Sequence, residues 1–171
     1  MVQKSKKKVN YEKSWSALAI ARLMIGFVFF WAFIDKAFGL GLATPAAKAW
    51  LAGGSPTTGF LTGVSKGAGP FADFFGAMIG NPFVDWLFML GLLGIGVALM
   101  LGVGLRVAAV TGTILLVMMW AAELPLTNNP IVDDHLVYAV VLWVVALAPR
   151  RWSIANWWLS QPSVKKNPWL W

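Results

Sequence analysis

The sequence has no cysteine and a single histidine, His135. The first absence excludes disulfides, thiolate redox chemistry, iron–sulfur clusters and thiolate-bound zinc within the chain. The second denies a buried b-type haem its paired axial ligands, so any electrons the protein moves must be carried by another cofactor or by the substrate. Charge is scarce too. Only 12% of the 171 residues are charged and 58% are hydrophobic, with a mean hydropathy of +0.68. A soluble domain is about 25% charged and roughly 45–50% apolar. Lipid is the solvent that suits this composition.

What charge there is amounts to +7, and its placement argues against nucleic acid. Lys4, Lys6, Lys7, Lys8, Lys13, Arg150, Arg151, Lys165 and Lys166 sit at the two ends. They flank apolar spans as cytoplasmic loops do, instead of covering one folded face with base-reading side chains. The basic start and the apolar run after it are read as a first membrane helix in preference to a signal peptide. The run Trp15–Phe33 exceeds an h-region of about 7–15 residues, and no Ala-x-Ala site follows.

Hydropathy divides the chain into a basic cytoplasmic tail over 1–13, read as disordered, and a membrane domain over 14–151. A Trp-rich cytoplasmic tail follows over 152–171. The spans fall at about 14–38, 83–101, 106–124 and 130–149, with an outer loop over 39–82. The expected fold is all-α, an integral membrane four-helix up-down bundle with both termini cytoplasmic. That orientation puts eleven Lys and Arg inside and leaves Lys36, Lys48 and Lys66 outside, in accord with the positive-inside rule. Arg22, Gly26, Phe29, Phe33 and Lys36 recur at 4-3-4-3 spacing, so they share a face directed into the bundle. Arg22 reads as structural, either snorkelling to headgroups or meeting backbone carbonyls, and Arg106 as an interfacial anchor. Gly94, Ala98 and Gly102 form a small-residue strip suited to close helix approach. In the outer loop Pro45–Leu51 and Pro70–Ile79 are expected to be short interfacial helices, the second carrying the stripe Phe71, Phe74, Phe75, Met78 and Ile79. Gly53–Leu61 reads as turn. Asn81 and Asn129 are expected to cap the second and fourth spans, each followed by Pro at the first helical position.

Ala21-Arg22-Leu23-Met24-Ile25-Gly26, with Lys36 ten residues on, resembles the first-helix signature of the DoxX/DoxD family. Gly53-Gly54-Ser55-Pro56-Thr57-Thr58-Gly59-Phe60-Leu61 is similar to the first outer loop of its DoxD branch. Gly102–Arg106 and Asn129-Pro130 through Asp134-His135-Leu136 extend the likeness over about Ser14–Pro149. The resemblance implies a multi-pass protein of a prokaryotic cytoplasmic membrane, the membrane subunit of a thiosulfate:quinone oxidoreductase, with quinone as cofactor and thiosulfate or another small reduced sulfur anion as substrate. The alternative is a non-catalytic anchor or assembly partner for a soluble redox protein. Besides the lipid bilayer, a second subunit, a soluble redox partner and further copies of the chain all stay open as partners.

The candidate site lies at the outer end, between the first, third and fourth helices. Lys36 and His135 are expected to orient an anionic substrate or a quinone oxygen, while Glu123 and Asp134 handle protons. Tyr138 lies three residues after His135 and four after Asp134, so it extends their polar face toward the cofactor. Asp133 reads as a helix-terminal acid of the kind that stabilises by about 0.3–1 kcal/mol. For Lys36, an ion pair with Glu123 or Asp134 that only holds the bundle together is the competing reading. No metal site is expected.

Overall fold

A computed structural model describes residues 11–67 and 69–171; the basic segment 1–10 lies outside them. The regular structure of the described residues is all helical, without strands. The helices are α1 (Glu12–Phe38), α2 (Thr58–Ser65), α3 (Ala72–Gly76), α4 (Pro82–Leu101), α5 (Leu105–Ala122), α6 (Asp134–Leu147), α7 (Ala155–Ser160) and α8 (Pro162–Lys166). By length and composition α1, α4 and α5 are each able to cross a membrane; α6 is apolar but only 14 residues long.

The long helices pack as antiparallel neighbours, α1 against α4 and α6, and α5 against α4 and α6. Loss of side chains permits the closest of these contacts. A Cβ on Gly96 would lie 2.6 Å from the Phe30 backbone nitrogen, and one on Gly26 would lie 2.9 Å from the Leu99 Cβ. Around this seam the core closes with Ile25, Phe29, Met89, Leu99 and Leu142. The Gly94–Ala98–Gly102 strip plays a different part. A Cβ on Gly94 would meet nothing within 4 Å, whereas Ala98 packs on the core and Gly102 passes close to Ser153, so the strip is not one helix-approach face.

Several boundaries differ from expectation. Helix α1 starts at Glu12, inside the expected tail, where the Arg151 guanidinium meets the Glu12 carboxylate at 2.6 Å. Thr58–Ser65 is helix α2, not turn. The Ser55 hydroxyl accepts from the Thr58 N–H and hydroxyl (3.3 and 2.7 Å) and so sets the first turn of that helix. The fourth apolar helix starts at Asp134, four residues after Pro130. Asn129 spends its carboxamide oxygen on the N–H groups of Ile131 and Val132 (both 2.9 Å), and the cap passes to Asp133, which accepts from the Leu136 N–H at 3.1 Å. Asn81 does cap α4, accepting from Phe83 N–H at 3.0 Å.

At the end of the molecule formed by residues 148–171, here the tail end, Arg22 is only 2% exposed. It does not reach for headgroups. Its guanidinium donates to the carbonyl of Leu99, and to those of Arg151 (2.8 Å) and Trp152 (3.1 Å). Trp152 adopts a positive φ of 50° where it presents that carbonyl. Gly102, with φ +73°, passes so close that a Cβ would lie 2.4 Å from the Ser153 Cβ. The tail itself folds back on the start of α5. The Arg106 N–H donates to the Trp171 carbonyl (3.2 Å) and its guanidinium to the Pro168 carbonyl (3.1 Å).

Arg22→Met is expected to strand buried carbonyls and lower stability by about 3 kcal/mol, and Gly102→Ala to lower it as well. Both are read as falls in the unfolding midpoint of detergent-solubilised protein; unchanged midpoints would disprove the role given to this node.

Candidate functional site

Two polar constellations lie at the opposite end, one beneath the long loop and one in the connection from α5 to α6, and they are separate. The first borders a cavity of about 950 Å³ between α4 and α5. Gly91 and Gly94 of α4 leave room for it, with Leu115 and Met119 of α5 on the facing wall. It extends the length of the helix pair, from Lys36 and Thr44 at the loop end to Trp158 and Leu170 at the tail end. Leu87, Leu90, Ile114 and Met118 line it and are themselves exposed, so its side is open and apolar. Lys36, half-buried near the end of α1, and Lys48 of the loop are its charged lining residues.

The loop that covers this mouth is held by two buried carboxylates, Asp85 and Asp35. Asp85, in the first turn of α4, accepts from the Ser55 hydroxyl (2.9 Å), the Thr57 hydroxyl (2.6 Å) and the Thr57 N–H (3.2 Å). Asp35, beside Lys36 at the end of α1, accepts from the Ala43 N–H at 3.0 Å. Gly39 ends α1 in the left-handed region at φ +66°, which lets the chain double back over Asp35. The signal for Asp85 was present in Ser55-Pro56-Thr57-Thr58, a cluster of hydroxyl donors in need of an acceptor.

The second constellation joins the end of α5 to the start of α6. Trp120 donates its indole N–H to the Ile131 carbonyl (2.9 Å), which returns the connection to the helix it left. His135 Nδ1 then lies 2.7 Å from the Asp133 carboxylate and 3.9 Å from both Glu123 Oε2 and Asp134 Oδ1. Asp133 and His135 are mostly buried (13% and 14% side-chain exposure), whereas Glu123 is partly exposed and Asp134 is 74% exposed. Burial acts to raise the Asp133 pKa, but the hydrogen bonds from His135 and the Leu136 N–H outweigh it and hold the carboxyl below the usual carboxylate range. Asp133 is therefore both cap and histidine partner, a double role hidden by its neighbour Asp134.

The expected single site is thus divided. His135, Glu123 and Asp134 come together, while Lys36 forms no ion pair with either acid among the described residues. None of Glu123, Asp134, His135 or Tyr138 lines the cavity that Lys36 borders. Tyr138 is exposed on α6. Arg22 and Arg106 donate to backbone carbonyls at the tail end, and Gly26 lies against Leu99.

Comparison with protein-family models, with curated proteins and with solved structures finds no match.

Asp133→Ala is expected to cost about 1 kcal/mol by removing the cap, with faster amide exchange at Leu136. Asp133→Asn keeps an acceptor for that N–H and should preserve most of the protection, while both variants shift the His135 ring nitrogen resonances. Equal exchange in wild type and Asp133→Ala would contradict the capping role.

Proposed function

We propose that this chain is a four-helix, multi-pass membrane protein of the DoxX/DoxD type, with both termini cytoplasmic, and that it binds a quinone as the membrane subunit of an oxidoreductase. The observation that carries the reading is the groove between α4 and α5, apolar along its open flank and bordered by a lysine at one end. Its volume of about 950 Å³ lies at the upper end of the range for small-molecule sites, roughly 300–1,000 Å³. A ring-shaped head with a prenyl tail fits that form. The fit of residues supports it too: Lys36 Nζ can donate to a ring oxygen, and Gly91, Gly94 and Met119 can receive the tail.

A bound quinone would supply a two-electron, two-proton acceptor, matched in electrons to the oxidation of two thiosulfate anions to tetrathionate. Thiosulfate, or another small reduced sulfur anion, enters this proposal from the family resemblance alone. The residues of the chain bind and orient. Lys36 positions the head, the Asp85–Thr57–Ser55 hydrogen bonds hold the loop over it, and the apolar walls keep water from the tail. Glu123, Asp134, His135 and Tyr138 receive no contact with the ligand in this reading, because they lie outside the groove.

A second reading, an anchor or assembly partner for a soluble redox protein, draws support from the chain's chemistry. It has no cysteine, and its one histidine is turned toward acids.

A photoreactive short-chain quinone, added to the protein in liposomes, is expected to label peptides of α4 and α5. Lys36→Met and Gly94→Phe should each weaken its binding about tenfold, near 1.4 kcal/mol. The second is tolerated by the fold because the space beside Gly94 is empty. Labelling and affinity that ignore both substitutions would remove the quinone site. Binding without reduction of the quinone by thiosulfate would select the anchor.

A further inference from the structure

The groove does not use the cluster at the end of α5, and that cluster gathers nitrogen and oxygen donors from both sides of the α5–α6 connection. Three carboxylates, those of Glu123, Asp133 and Asp134, lie within 3.9 Å of one imidazole nitrogen. No Lys or Arg among the described residues forms an ion pair with any of them. A protonated His135 would supply one positive charge against three negative ones. A divalent cation would supply two.

We propose that Glu123, Asp133 and His135 form a binding site for a divalent first-row transition cation, with Zn²⁺ as its representative. Each offers one ligand atom, and the three atoms lie within 4.8 Å of one another. Imidazole nitrogen with carboxylate oxygen, and no thiolate, is a donor set for Zn²⁺, Mn²⁺ or Fe²⁺ and not for the soft ions. Two carboxylates and a neutral imidazole also balance a dipositive ion. Ligands about 2.1 Å from a tetrahedral ion stand about 3.4 Å apart. The 2.7 Å contact between Asp133 and His135 has to open slightly, and Glu123 has to swing inward, which its exposure allows.

The pre-arrangement is unequal, and the inequality is informative. Asp133 is already oriented, since Oδ1 accepts from the Leu136 N–H and leaves Oδ2 facing the histidine. A hydrogen bond of this kind behind a ligating carboxylate is what fixes a metal ligand in place. Glu123 comes from the other helix. The ion would therefore bridge α5 to α6 and keep at least one coordination position for water or an anion. The inference is independent of the quinone reading, because none of its residues lines the groove.

Zn²⁺ alone, titrated calorimetrically into the full-length protein in detergent and free of affinity tags, tests it. One ion per chain is expected, and Co²⁺ in its place should show the visible absorption of a four- or five-coordinate nitrogen and oxygen site. Glu123→Gln and His135→Ala should each weaken Zn²⁺ at least tenfold. Asp133→Asn, which keeps the helix cap, should do the same while the metal-free unfolding midpoint stays near wild type. A folded wild-type protein that takes up no Zn²⁺ overturns the site. So does binding whose affinity is unchanged in Glu123→Gln and Asp133→Asn.

Discussion

A guanidinium does not lose its proton inside a protein, so a buried one must be surrounded by acceptors. Arg22 satisfies that demand with backbone carbonyls from two places far apart in sequence: Leu99 at the end of α4, and Arg151 and Trp152 just beyond α6. Helix α1 supplies the charge, the last turn of α4 supplies an oxygen that its own helix leaves unpaired, and the segment after α6 supplies two more. One side chain thereby sets the relative depth of three helices. The left-handed Trp152 and the close passage of Gly102 follow from bringing those carbonyls to a single point.

With the tail end tied in this way, the other end is free to be irregular, and the loop over 39–81 takes up that freedom. It is secured by acids facing inward, Asp35 onto the Ala43 N–H and Asp85 onto Ser55 and Thr57, and not by apolar burial alone. Beneath it α4 and α5 diverge enough to leave the groove. Gly91 and Gly94 keep it open for the same reason that Gly26 and Gly96 close the α1–α4 seam: a missing side chain yields space to whatever neighbour is there, and beside Gly94 there is none.

Much of this was legible beforehand. Hydropathy located the apolar helices to within a few residues, and the shared face of Arg22, Gly26 and Phe29 does point inward. The cap at Asn81 was readable because Asn followed by Pro leaves few alternatives. At Asn129 the same pair was read identically, but the carboxamide closes a local turn instead, and propensity does not separate those outcomes. Gly94, Ala98 and Gly102 show the same limit. Spacing reveals a strip of small residues but not whether a helix or a void lies opposite. The candidate site was half legible. His135 and Glu123 meet across a short connection, while the link to Lys36 depended on the rotation of α1 relative to α5 and α6, which no local pattern encodes.

The groove's open side is bordered by Leu87, Leu90, Ile114 and Met118. A guest that enters through such a flank arrives from the hydrocarbon phase, where a hydrophobic molecule concentrates far above its aqueous level. Occupancy would then follow the guest's mole fraction in lipid. A modest intrinsic affinity would suffice for saturation, and diluting the bilayer with extra lipid at a fixed total amount of guest would empty the groove.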